Sequence, residues 1–236
     1  MTTDDEHPGL RPALLAGGLA TLVLLTLPLG ALVRAKWSPL IRFDNHVEAS
    51  VHRDALSDGW LRAAAKALTQ LGAPVLVEAV AAVLVVILVV RRRKRTGLYL
   101  ASCVAGAYLL STTGKLLVDR ARPVFPDAIA HARGASFPSG HATGSAAFYL
   151  ALAVVGLSVL PRARRGLLLT AAFVVPVVVA VTRVVLGVHY VSDVTAGLLI
   201  GWGWTAACTA LFTAWRAEEG RPVAPLEEGI EPEPAR

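Results

Sequence analysis

Six apolar runs, each close to the length that crosses a bilayer, constrain this chain more than any other feature. A spanning helix needs about 20 mainly apolar residues, since a rise of about 1.5 Å per residue must cross about 30 Å of hydrocarbon. Such runs extend from Ala13 to Val33, Gly72 to Val90, Gly97 to Val118, Ala142 to Leu160, Gly166 to Gly187 and Val194 to Trp215. In lipid a segment must satisfy its own backbone polar groups, which an isolated helix does and an isolated strand does not. The expected fold class is therefore all-α, a polytopic membrane protein whose six transmembrane helices form a helical bundle. With 55% hydrophobic and only 17% charged residues, the composition excludes an ordinary soluble domain.

The formal charge of +6 would suit a nucleic-acid partner, but the basic residues gather in short clusters between apolar runs, so none is expected. That pattern reports topology instead. Arg91, Arg92, Arg93, Lys94 and Arg95 place the second loop in the cytoplasm, and Arg162, Arg164 and Arg165 place the fourth there. Both chain ends then fall in the cytoplasm, with the first, third and fifth loops on the extracytoplasmic face of the plasma membrane. Arg34, Lys36, Arg42 and Arg53 in the first loop oppose this assignment, and the denser clusters outweigh them. Residues 1–12 are expected to be a cytoplasmic N-terminal segment, 13–216 the transmembrane domain, and 217–236, rich in Glu and Pro, a disordered cytoplasmic tail.

The acidic leader (Asp4, Asp5, Glu6) and the length of the first run argue for an uncleaved helix rather than a secretory signal. Between Arg34 and Trp60, Val47, Val51 and Ala55 recur at four-residue spacing and predict a short amphipathic helix at the interface, with His46 and His52 in solvent. Cys103 and Cys208 lie inside apolar runs, where a thiol packs as a small hydrophobe. The chain has neither Cys-x-x-Cys nor His-Glu-x-x-His, so no metal and no cofactor is expected.

Under this topology three polar segments emerge on one outer face: Lys115 to Pro123, Pro138 to His141, and Arg183 to Asp193. Lys115 and Arg183 belong to apolar helical runs, where an unpaired cation costs about 2.5 to 3.5 kcal/mol on insertion scales. Together with Arg122 they would repel one another, and Asp193 is the one obvious counter-charge in these segments. A bound multivalent anion resolves the imbalance. Phosphate suits it, because guanidinium forks pair bidentately with its oxygens while a lysine acts as a point charge.

Ser139 and Gly140 lead into a helix start, whose backbone N–H groups make an anion site. Gly140 permits close approach, and the Ser139 hydroxyl can either donate to phosphate or cap the helix. His189 and Asp193 stand four apart, one helical turn, so the carboxylate can hold one imidazole nitrogen and leave the other free to attack phosphorus. Alone, that pair reads first as a structural hydrogen bond or a helix start at Ser192 or Asp193. His141 is then available to protonate the leaving group and to activate water. Two histidines, three cations, a Ser-Gly helix start and a carboxylate on one membrane face favour phosphoryl chemistry.

These segments resemble the three-part signature of the type 2 phosphatidic acid phosphatase superfamily, the lipid phosphate phosphatases and their vanadium haloperoxidase relatives. Its pattern is Lys-x6-Arg-Pro, Pro-Ser-Gly-His and Ser-Arg-x5-His-x3-Asp. Here Lys115, Arg122 and Pro123 match the first part, Pro138 to His141 the second, and Arg183, His189 and Asp193 the third, with Thr182 where serine is usual. The resemblance implies a metal-independent phosphatase with His189 as nucleophile, His141 as acid and base, and Lys115, Arg122, Ser139, Gly140 and Arg183 around the phosphate. The implied substrate is a membrane lipid phosphate or diphosphate, such as polyprenyl diphosphate or phosphatidate. Two other outcomes use the same residues: transfer of the phosphoryl group to an acceptor hydroxyl, and a silent protein that only binds lipid phosphate. Six spans argue against the soluble haloperoxidase branch.

Overall fold

The computed structural model describes residues 16–218 and Ile230. Among the described residues six helices are long and apolar enough to cross a membrane, and the chain is an integral membrane protein. The first span is α1 (Ala16–Arg34), with wider π turns from Thr21 to Thr26. It is followed by α2 (Ser38–Ser57), α3 (Gly59–Leu68), α4 (Pro74–Val90), α5 (Lys94–Val118), α6 (Gly140–Leu157), α7 (Arg162–Val185) and α8 (Val191–Glu218).

Several span boundaries differ from the sequence expectation by a few residues, and one by more. The second span starts at Gly59 rather than Gly72, because α3 continues through the 3-10 turn Thr69–Gly72 into α4. The start of α3 is fixed by Asp58, whose Oδ1 accepts the N–H groups of Trp60 (2.8 Å) and Leu61 (3.0 Å). Helix α6 begins at Gly140 and α8 at Val191, each ahead of its apolar run, because polar residues form the first turn.

The bundle is organised around α6, which packs against α5, α7 and α8. Small residues on α6 and α8 bring the backbones close, the usual solution where lipid supplies no hydrophobic drive between helices. A Cβ on Gly201 would sit 2.5 Å from the Thr143 carbonyl oxygen, and one on Gly197 would sit 2.7 Å from that of Ser139. Outward, Val83, Leu109, Leu116, Leu167 and Leu211 are exposed, as suits a surface bathed in hydrocarbon.

At the end where α5 begins and α8 finishes, Arg95 donates to the Phe212 carbonyl (3.2 Å), and the Tyr99 and Thr209 hydroxyls bond at 2.8 Å. Cys103 and Cys208 are free and buried in the apolar cluster that surrounds Tyr99. Ile230 is buried in the same cluster, so at this residue the C-terminal segment packs on the bundle. The rest of the expected tail beyond Glu218, and all of the expected N-terminal segment 1–12, lie outside the described residues.

Helix α2 corrects the expectation most. It has 20 residues, and the face it buries is polar: Asp44, Glu48 and His52, with Ala55, while Val47 and Val51 are only partly covered. The surface beneath it is a set of charged loops rather than hydrocarbon, so the polar stripe turns inward. His52, expected in solvent, is buried with its ring stacked on Phe125 at 3.7 Å. His46 is exposed.

Candidate active site

The three polar segments meet at the opposite end of the bundle. Lys115, at the end of α5, donates Nζ to the carbonyls of Pro138 (2.7 Å) and Ala135 (3.1 Å), tying the first segment to the second. The Ser139 N–H donates to the Asp193 carbonyl at 3.0 Å, tying the second to the third. Arg122, in the loop after α5, reaches the third directly: Nη1 donates to the Val188 carbonyl (2.8 Å) and lies 3.0 Å from His189 Nε2. The rest of its fork is held by the carbonyls of Gly134 (2.9 Å), Arg133 and Ala135 (3.2 Å each). His141, in the first turn of α6, lies within electrostatic reach of Arg183, His189, Arg122 and Lys115. The residues singled out in the sequence thus lie together at this end of the bundle.

His189 and Asp193 do not share a helical turn, as the spacing had suggested. His189 lies in the loop that precedes α8, and Asp193 is in the first turn of that helix. The two still meet, with Nδ1 3.4 Å from Asp193 Oδ2. That separation suits electrostatic pairing but is long for a hydrogen bond. The same Oδ2 accepts the Tyr190 N–H at 3.0 Å, so Asp193 also performs half of a capping box for α8. The carboxylate thus belongs to the start of α8 and also stands beside the imidazole.

Since a guanidinium only donates, Arg122 beside Nε2 assigns that nitrogen a lone pair and puts the imidazole proton on Nδ1, facing Asp193. Burial lowers the His189 pKa to about 4; Arg122 and Arg183 push the same way, and Asp193 opposes them. At neutral pH the ring is therefore uncharged, the form in which a nitrogen can act as a nucleophile.

Ser139 occupies the cap position of α6 but makes no side-chain cap, and its buried hydroxyl has no hydrogen-bond partner. The capping role is thereby vacant and a donor remains for a ligand. Gly140 follows, where a Cβ would meet only the Ser111 hydroxyl, at 4.0 Å. Arg183 donates Nη1 to Thr69 Oγ1 at 2.9 Å, leaving Nε without a partner. Thr182, which departs from the resembled pattern, donates its hydroxyl to the Val179 carbonyl of its own helix.

Among the described residues, Lys115, Arg122 and Arg183 meet carbonyls or a hydroxyl and no carboxylate. The cation that does pair is Arg120, which the sequence reading passed over. Its Nη1 donates to Asp193 Oδ1 (2.8 Å) and Ser192 Oγ (2.7 Å), and its Nη2 donates to Asp44 Oδ2 (2.8 Å). Its guanidinium lies over the Tyr190 ring, 3.8 Å from the centroid. A signal existed: Arg120 falls within Lys-x6-Arg-Pro, and Asp44, Glu48 and His52 recur at helical spacing.

Residues 96–217 match the PAP2 superfamily. The chain is 37% identical over 127 residues to a lipid A 1-phosphatase of Rhizobium etli, covering 50% of this chain and 50% of the relative. It is 30% identical over 144 residues to phosphatidylglycerophosphatase B of Bacillus subtilis, covering 60% of this chain and 70% of the relative. It thus spans about half the length of the lipid A 1-phosphatases that it matches. The crystal structure of a transmembrane PAP2 type phosphatidylglycerolphosphate phosphatase from B. subtilis superposes with a TM-score of 0.73 at 25% identity, over 81% of this chain and 94% of that one.

Proposed function

The chain belongs to the PAP2 superfamily, and from that membership we propose that it hydrolyses a membrane lipid phosphate or diphosphate through a phosphohistidine on His189. The observation that carries the reading is the placing of three cations without carboxylate partners around a neutral, buried imidazole. A phosphate supplies the missing negative charge. As its oxygens draw the Arg122 guanidinium, they release the Nε2 lone pair for attack on phosphorus.

The P–N bond forms as the bond to the leaving oxygen breaks, and His141 gives its proton to that oxygen. Lys115, Arg122 and Arg183, with the Ser139 hydroxyl and the N–H groups opening α6, stabilise charge on the equatorial oxygens. In the second half His141 takes a proton from water, whose oxygen attacks phosphorus while the P–N bond breaks. Asp193 holds Nδ1–H throughout and supports the positive charge that builds on the ring.

A cavity of about 400 Å³ between α1 and α5 supports a lipid as the substrate. Its lining is almost wholly apolar, and it includes Gly114 and Phe137, the immediate neighbours of Lys115 and Pro138. A hydrocarbon tail lying there would deliver its headgroup to the cations. The basic loops that precede α5 and α7 support an extracytoplasmic site with both chain ends inside.

The test is phosphate release by the purified protein from polyprenyl diphosphate, phosphatidate, phosphatidylglycerol phosphate and lipid A 1-phosphate, the last two being suggested by the names of the relatives. His189→Ala should lower turnover on every accepted substrate at least about 1,000-fold, as expected for loss of a nucleophile. Equal release by the variant and the parent protein would refute the phosphohistidine.

A further inference from the structure

The three motif segments do not complete the site, because a fourth fragment from α2 reaches the nucleophile through two intermediaries. Asp44 is fully buried, and both of its oxygens are engaged. Oδ1 accepts the backbone N–H of Ser192 (3.0 Å), while Oδ2 accepts the Ser192 hydroxyl and Arg120 Nη2 (2.8 Å). Tyr190, at the start of α8, has no side-chain acceptor suited to capping, so Asp44 caps that helix from outside it.

Arg120 forms the link. Its fork spans two carboxylates, Asp44 on one side and Asp193 on the other, each at 2.8 Å, and the Tyr190 ring closes one of its faces. Asp193 therefore has its two oxygens set by separate donors: Oδ1 by Arg120 and Oδ2 by the Tyr190 N–H. Only with that plane fixed does Oδ2 stand opposite His189 Nδ1. We propose that Asp44 is a positioning residue for the nucleophile, acting through Arg120 on Asp193, so that α2 belongs to the catalytic apparatus.

The electrostatics run the same way. Arg120 brings one positive charge to a carboxylate that must support positive charge on His189. Asp44 takes up part of that guanidinium and leaves Asp193 with enough negative character for the imidazole. Without Asp44 the fork keeps Ser192 Oγ and Asp193 but loses its second carboxylate, and Arg120 competes with His189 for Asp193. Chemistry at His189 then slows, while the groups that would grip phosphate, Lys115, Arg122, Ser139 and Arg183, are untouched.

The inference rests on His189 being the nucleophile, so its test runs beside His189→Ala on the full chain in detergent. Asp44→Asn keeps the side-chain shape. It should lower kcat roughly 10- to 100-fold, as misplacement of a reacting group does, and leave KM within about twofold. Arg120→Lys should give the same split, and the double variant should be no worse than the poorer single, as for residues acting in one chain. Unchanged kcat in Asp44→Asn would overturn the proposal. So would a loss that only tracks the fraction of folded protein on size exclusion, or a rise in KM with kcat intact. If Asp44→Asn does not fold, the same readings on Arg120→Lys decide. A failed His189→Ala control, with no loss of turnover, would condemn the phosphohistidine itself and is thereby told apart from a failure of the Asp44 relay.

Discussion

Burial pushes the Glu48 carboxyl up to about 7, and its Oε1 has no hydrogen-bond partner. Between its ordinary pKa and that value the folded protein holds a proton that the unfolded chain has released. Stability linked to Glu48 is therefore fully present below the ordinary carboxylate range and is lost as pH rises through about 7. Glu48→Gln, which cannot ionise, should remove this slope and stabilise the protein at pH 8, on the order of 2 kcal/mol. Melting in detergent at pH 5.5 and pH 8 checks it, and parallel pH slopes for parent and variant would contradict the assignment. One turn away on the same helix, both oxygens of Asp44 accept hydrogen bonds, from Arg120 and from the Ser192 backbone N–H.

The crossing of α6 and α8 is the element on which the site depends most. At Gly197 a methyl group would meet the Ser139 carbonyl at 2.7 Å and the Ala142 side chain at 2.9 Å, so backbone must move. Gly197→Ala should part the two helix starts and weaken the Ser139 to Asp193 hydrogen bond. Turnover should fall about 10- to 100-fold, checked by phosphate release at equal amounts of folded protein; full activity would show that the crossing tolerates the shift. Gly187, two residues before His189, carries φ of +69°, and a Cβ there would lie 2.9 Å from His52 Nδ1. Such constraints explain what the sequence showed and what it hid. Apolar length located six spans, and motif spacing singled out the eight residues that the structure gathers. The role of α2 stayed hidden because a 3.6-residue period reports which residues share a face, not what that face will touch. Val47, Val51 and Ala55 suggested a lipid surface, whereas Asp44, Glu48 and His52 meet Arg120, Phe125 and the loop before α8.

For the whole molecule, the direction of insertion decides which leaflet supplies the substrate. Pro126 is exposed in the loop between α5 and α6, and both native cysteines are buried. If the site faces outward, Pro126→Cys should react with an impermeant thiol reagent in intact cells; labelling only after lysis would reverse the orientation. The molecule also sets a limit on transplanting its chemistry. A designer who grafts Lys115 to Pro123, Pro138 to His141 and Arg183 to Asp193 onto another bundle carries every group that would touch phosphate. The graft leaves behind the carboxylate that caps α8 and shares Arg120, 76 positions earlier in the chain. Such a graft should bind phosphate while turning it over poorly. If α2 positions Asp193 as proposed, the smallest portable unit is four fragments rather than three, the fourth coming from a helix outside the six spans.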